Sequence, residues 1–406
     1  SLPFRFVIVL SVVNLRNQPE DWSFLIYVRE NVYGKKECQE LIKFTTESTM
    51  TKRKGKDMEK WMKCYVGTNS LRGSKGIYTL EIKTQNGEMR EVSTVEADDS
   101  AYLYVSEKRK CLYAVMESLE YKGVPGGGVA AYRIEDNKLS FLNSRYAYGG
   151  WPCHVIADEE KDSLLVSVFR NGLLVVYGIN QDGSIGEERR VEHHQEPNGR
   201  MSHIHASMPT PDGKYIAVAD CGLDYIYLYD AKTYQKVFEW KAPEDSGPRQ
   251  LRFSPDGKYL YMVSELSCQI FVFEYQPDCK DMLRNVQVIS TRREDGYDRE
   301  NYTSALQMHP SGRYLLAGNR GHNSIVVYEV DKETGLLMLK GHTMLAGDFC
   351  REFCFVPDGS MLIVGIQHTD VVQTFFFDEN KGILKWSGQE IVIPSPSCVI
   401  MGDSAK

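Results

Sequence analysis

From residue 62 onward the chain runs in short stretches of apolar, β-branched and aromatic residues that recur in one order. Each unit has a Pro-Asp-Gly-type turn, a β-rich run, a short polar loop and a second alternating run. The clearest copies are SPDGKYLYMVSE (254–265), TPDGKYIAVADC (210–221), HPSGRYLLAGNR (309–320) and VPDGSMLIVGIQ (356–367). EEKDSLLVSVF (159–169) and SEKRKCLYAVME (106–117) are weaker copies. Turn positions 108, 160, 212, 256, 311 and 358 are spaced by 52, 52, 44, 55 and 47 residues, a period that marks a propeller or solenoid. The second runs (IFVFEY, IVVYEV, YIYLYD, LLVVYGI, VAAYRI) are strand-like, and no long amphipathic helix separates the units, as a βαβ solenoid would require. Units of this length hold four strands of about 5–6 residues each. An early unit at 62–82 brings the count to seven. The predicted fold is therefore all-β, a seven-bladed β-propeller of four-stranded blades with a non-repeat N-terminal extension. The last segment, 388–402, is expected to complete the first blade, because an open ring leaves strand edges unpaired.

Superposing the repeats shows where chemistry can gather. The β-runs end on Thr68, Glu117, Phe169, Cys221, Glu265, Arg320 and Gln367. Sixteen residues before each of the last six stand Ala101, Cys153, His205, Arg249, Ser304 and Arg351. Equivalent positions in a ring of blades point to one place, so these two sets should line one mouth of the central channel. Three arginines, two glutamates and a histidine converging there suit a small anion. Arginine offers a planar fork for phosphate or carboxylate, and histidine can serve as a base near neutrality. The plainer reading of the same cluster is a salt-bridged plug. His154 and His322 stand close to ring positions and are candidates for the rim. His203 alternates with His205 and could share its side, but no carboxylate cluster accompanies the pair, so no metal is expected. His193 and His194, in a polar stretch, are expected in solvent. VPGGGVAA (124–131) lacks the following helix of a phosphate cradle and reads as a turn.

Composition adds exclusions. Of 406 residues, 48 are Lys or Arg and 55 Asp or Glu, a net charge of −7 that argues against a nucleic-acid binder. Ten cysteines show neither Cys-x-x-Cys nor zinc-finger spacing, and read as reduced, buried thiols of a cytoplasmic protein. Leu2–Val13 is apolar but short and interrupted by Arg5, so no membrane span is expected. Residues 14–60 show no period and end in the basic run TKRKGKDMEK. Residues 1–57 are accordingly read as an extension outside the fold, and 58–406 as the propeller domain.

The motifs PCHV (152–155), SHIHAS (202–207), GPRQLRFSPDGKYLYMVSE (247–265) and GNRGHNSI (318–325) resemble the bacterial 6-phosphogluconolactonase family with a seven-bladed propeller, which also includes fungal carboxymuconate cyclases. The resemblance runs from about 62 to 402. It implies that His205, Arg249, Glu265 and Arg320 carry catalysis, the residues picked out by superposition. Glu117, His154, His203, His322, Arg351 and Gln367 are then expected to contact substrate. The sequence departs from the family in His-Ile-His at 203–205 and in Cys350-Arg351-Glu352-Phe353.

The resulting expectation is hydrolysis of a small anionic sugar lactone, 6-phosphoglucono-δ-lactone, without cofactor. His205 would be the base, Glu265 its orienting group, Arg249 the oxyanion donor, and Arg320 and Arg351 the phosphate holders. The alternatives are a lactonising cycloisomerase on a dicarboxylate, and a propeller that only binds protein partners.

Overall fold

The computed structural model describes residues 61–136, 138–194, 199–293 and 299–402, together with the backbone of two strands at 8–13 and 23–28. The chain divides into two units, Ser1–Met58 and Glu59–Lys406. In the first, Ile8–Val13 pairs antiparallel with Ser23–Val28. The second of these strands falls where the sequence pattern shows no period.

The second unit contains seven four-stranded antiparallel sheets. In blades 2 to 7 a Pro-Asp-Gly-type or similar turn joins the innermost strand to the next. Blade 3 runs Pro152–Asp158, Ser163–Val168, Leu173–Ile179, Ile185–His193. Blade 4 follows with Ile204–Pro209 to Lys236–Lys241, blade 5 with Pro248–Phe253 to Leu283–Ser290, blade 6 with Tyr302–Met308 to Leu337–Met344, and blade 7 with Cys350–Phe355 to Ile383–Val392. Blade 2 opens with Leu103–Ser106. Blade 1 takes its innermost strand from the far end of the chain: Pro396–Met401 pairs with Trp61–Thr68, as the closure argument requires. Each innermost strand packs against those of both neighbouring blades, all the way round the ring.

The core lies between blades. Seven clusters of buried apolar residues each combine side chains from two neighbours, as where Leu316 and Tyr314 of blade 6 meet Phe353, Phe375 and Leu362 of blade 7. A blade is apolar on both faces because both faces are covered. Each fully buried Leu, Ile or Val contributes roughly 1.5–3 kcal/mol. Tyrosines at two positions after the turn also have a polar task. Tyr113 donates to the Gly183 carbonyl at 2.9 Å, Tyr261 to Gly335 at 3.0 Å and Tyr314 to Glu379 at 2.7 Å, each reaching the next blade. A buried tyrosine needs such a partner for its hydroxyl. The turn glycine is equally constrained at Gly359: its φ of 74° is left-handed, and a Cβ there would collide with the His309 ring of blade 6, whose Nε2 meets the Gly359 carbonyl at 3.1 Å.

Eight of the nine described cysteines are buried, Cys279 is exposed, and all nine are unpaired. No helix among the described residues is long and apolar enough to cross a membrane.

Candidate functional site

The backbone explains why residues sixteen apart share one place. In blade 3 the strand ladder passes from Pro152 to His154 opposite consecutive residues Val168 and Ser167, leaving Cys153 unpaired. The same skip omits His205 in blade 4, Arg249 in blade 5, Arg351 in blade 7 and Ser397 in blade 1. Blade 6 skips at Ser304 and Ala305. These are β-bulges, which re-aim side chains next to active sites. Here they turn the ring residues toward the channel. Ala101, Cys153, His205, Arg249, Arg351 and Ser397 line a single small cavity on the axis, with Tyr102, His154, Gln250 and Glu352 completing its wall.

At the mouth, Glu265 is gripped from two sides. Arg249 Nε donates to its Oε2 at 2.8 Å, and an Arg320 Nη lies 3.0 Å from Oε1. Each arginine also donates to a backbone carbonyl of blade 6, Arg249 to Ser304 and Arg320 to Thr303. His205 Nε2 stands 3.9 Å from Glu265 Oε2. That is beyond hydrogen-bond reach, so the carboxylate expected to orient His205 is committed to the two guanidinium groups. A second pair lies across the ring, where Arg351 donates to both Glu117 oxygens at 3.1 and 2.9 Å. Gln367 donates to Asn69 Oδ1 at 2.6 Å, and Asn69 in turn to Glu117 Oε2 at 3.2 Å.

Burial and charge set the protonation of the cluster. Burial alone would raise the Glu265 carboxyl, but Arg320 and Arg249 outweigh it and hold the group below its ordinary value. Burial pushes His205 well below its usual value, and Arg249 and Arg320 add to this, so the imidazole is neutral at pH 7. Burial lowers Arg320 to about 10, against the pull of Glu265. At the mouth the cluster sets the guanidinium groups of Arg249, Arg320 and Arg351 against the carboxylates of Glu265 and Glu117, with a third carboxylate, Glu352, on the cavity wall held by Gln250 and Gln307.

His203 stacks on Phe169, with ring centroids 4.5 Å apart, and its Nδ1 meets the Phe169 carbonyl at 2.9 Å. Phe169 in turn sets its ring edge-on to His205. His154 is buried one layer below the mouth. His322, in the loop after Arg320, donates its backbone N–H to Asn301 Oδ1, and its Nδ1 contacts Ser324 Oγ at 2.7 Å. His194, expected in solvent, is buried against Tyr227 and hydrogen-bonds Tyr229 and Asp220, because the polar strand around it ends under the next blade. Among the described residues no group of three His, Cys, Asp or Glu is placed to hold a metal.

Several site residues escaped the sequence reading. Ser397 is the ring residue of blade 1, hidden because its strand comes from the opposite end of the chain. The proline before it was the available signal, since Pro152, Pro248 and Pro396 each precede a bulged residue. Gln250 and Glu352 follow bulged residues and meet at 2.8 Å across the channel. Two aromatic residues at the mouth, Trp151 and Phe349, hold left-handed φ of 56° and 72°, outliers for bulky side chains that concentrate at functional sites. Arg170 lies over the Trp151 ring at 5.2 Å, and Arg320 over Phe349 at 5.1 Å. A larger funnel at the other end of the channel is lined mainly by apolar side chains such as Val105, Met308, Phe355 and Ile400, and contains none of the expected catalytic residues.

A seven-bladed propeller with a His–Arg–Glu–Arg cluster at one mouth of its axis is the class that fold and site define. Residues 63–401 match the family described as Lactonase, 7-bladed beta-propeller, and the chain belongs to that family. It is 30% identical over 344 residues to 6-phosphogluconolactonase of Bacillus subtilis, covering 82% of this chain and 97% of that protein. It is 28% identical over 347 residues to 6-phosphogluconolactonase of Formosa agariphila, covering 80% and 95%. The solved structure of a periplasmic gluconolactonase from Pseudomonas aeruginosa is 26% identical and superposes with a TM-score of 0.78, covering 84% of this chain and 99% of that one. The enzyme class implied by the sequence motifs, a 6-phosphogluconolactonase-like carboxylic ester hydrolase, is the one these relatives carry.

Proposed function

We propose that this protein hydrolyses 6-phosphoglucono-δ-lactone to the open acid, as a step of carbohydrate metabolism in the cytoplasm. The observation that carries the reading is the convergence of His205, Arg249, Glu265 and Arg320, from three blades, at one end of the channel. Water adds to the lactone carbonyl carbon, its proton passes to His205, and the ring C–O bond then breaks with the proton returned to the departing ring oxygen. Neutral His205 is in the form a base requires. The Arg249 and Arg320 guanidinium groups supply charge for the tetrahedral oxyanion. Glu265 holds both arginine forks in place rather than acting on His205 directly. With Arg351 engaged by Glu117, the exposed Arg170 beside Trp151 is the rim cation assigned to the phosphate. The buried, unpaired cysteines support a reducing compartment. The test is a lactonase assay on purified protein with 6-phosphoglucono-δ-lactone, glucono-δ-lactone and a muconolactone side by side. Fastest turnover of the phosphorylated lactone is expected, and turnover of the muconolactone alone would assign the protein to the cycloisomerase reaction instead.

A further inference from the structure

Beneath the arginine cluster the bulges leave a cavity with room for about one water molecule. Its wall is polar, and almost every polar side chain on it is already engaged. Gln250 donates to Glu352 and accepts from the Leu306 N–H. Ser397 donates to the Gly67 carbonyl, and the Cys153 thiol lies against the Ile204 and His205 carbonyls. Arg249 and Arg351 are held by Glu265 and Glu117. Two wall residues differ. His154 Nδ1 and His205 Nδ1 are both buried, and neither has a hydrogen-bond partner in the protein. Buried polar atoms are rarely left so, and when the protein supplies no partner the usual one is ordered water.

We propose that this cavity is a binding site for a single water molecule bridging His205 Nδ1 and His154 Nδ1, and that His154 is thereby a positioning residue for His205. The water accepts a hydrogen bond from His205 Nδ1–H and donates one to His154 Nδ1. That arrangement places the His205 proton on the buried nitrogen and leaves the lone pair on Nε2, the atom facing Glu265 and the mouth. Which ring nitrogen of a histidine carries the proton is set by the hydrogen bond the other one makes. Burial lowers His154 to about 3, with Arg252 and Arg249 adding to the effect, so it stays neutral and able to accept.

The role in catalysis rests on the hydrolase reading above, while the water site does not, and the experiment separates them. The wild-type full chain is examined by crystallography for solvent in the cavity and by 15N NMR of labelled histidines for the His205 tautomer. One ordered water within hydrogen-bond distance of both Nδ1 atoms and an Nδ1–H tautomer are expected. An empty cavity, or an Nε2–H tautomer, overturns the proposal whether or not any lactone is turned over. Variants test the consequence. His154→Phe should lower kcat on the order of 10-fold or more with KM little changed, and His154→Gln, which keeps a polar terminus, should restore most of it. Unchanged kcat in a folded His154→Phe variant overturns the positioning role. If His154→Phe does not fold, a His154→Gln variant that has lost the water yet keeps wild-type kcat overturns it.

Discussion

Arg249 and Glu265 stand sixteen residues apart in the chain and 2.8 Å apart in the fold, one on the bulge of an innermost strand and the other at the end of its neighbour. The same offset joins Arg351 to Gln367 at 3.4 Å, so one hairpin geometry, repeated round the ring, delivers two tiers of side chains to the mouth.

Removing the Glu265 charge should damage both stability and activity. Glu265→Gln leaves Arg249 and Arg320 facing each other with one neutral amide between them. Breaking a buried ion pair by removing one partner costs on the order of 3 kcal/mol, read as a lowered unfolding free energy in urea. Lactonase turnover should fall with it, because both guanidinium groups lose their anchor. A Glu265→Gln variant as stable as wild type would show that the two arginines are held by their blade 6 carbonyl contacts alone.

His205→Ala and Arg249→Ala should each lower kcat by about 10²–10³-fold, the usual loss for a base or an oxyanion donor. Their effects on stability should differ. Arg249 is only 4% exposed and its loss leaves Glu265 half-paired, whereas the buried nitrogen of His205 has no partner within the protein. Both variants retaining wild-type kcat on every lactone would make the cluster a structural plug.

Stability should fall on the acid side, beginning near neutrality. His154 is held at about 3 in the fold against 6.5 when free, and His205 is shifted in the same direction. The unfolded chain therefore takes up these protons first. Stability is complete above pH 6.5 and declines as pH drops toward the folded value, by about 1.4 kcal/mol per pH unit for each such proton. Below about pH 4.5 the lowered carboxyl of Glu265 extends the loss, since its contribution disappears as pH falls through its folded value. Urea titrations at pH 8, 6, 5 and 4.5 measure the slope. It should be shallower by up to one proton in His154→Gln, and an unchanged slope would mean that His154 is not the titrating group.

Arg170→Ala should raise KM for the 6-phosphorylated lactone about 10-fold or more, the loss of one charge-assisted contact to phosphate, while leaving glucono-δ-lactone nearly unaffected. Equal effects on both substrates would assign Arg170 to the rim without a role in phosphate recognition.

A chain beginning at Met58 should melt within a few degrees of the full chain. The ring closes through Pro396–Met401 on Trp61–Thr68, two strands that both lie within residues 58–406. A larger drop in Tm, followed by circular dichroism, would show that the extension supports the propeller.

The sequence by itself determined the architecture and which candidate residues share one mouth of the channel. Blade number follows from the turn period, and the gathering of His205, Arg249, Glu265 and Arg320 at one mouth follows from equivalence of position, because a repeat forces like positions into like places; their selection as the catalytic set rests on the family resemblance. Periodicity carries no information about distances between blades, and the pairing of charges depends on those distances. Only the tertiary structure decided that Glu265 serves Arg249 and Arg320 instead of His205, and that Glu117 occupies Arg351. It alone moved His194 from solvent into a buried contact with Tyr229, and it alone brought Ser397 into the ring from the end of the chain. It also set His154 beneath the mouth. A bulge presents two successive residues to the channel where simple alternation would present one, and that local break in the pleat is invisible in a pattern of apolar and polar residues.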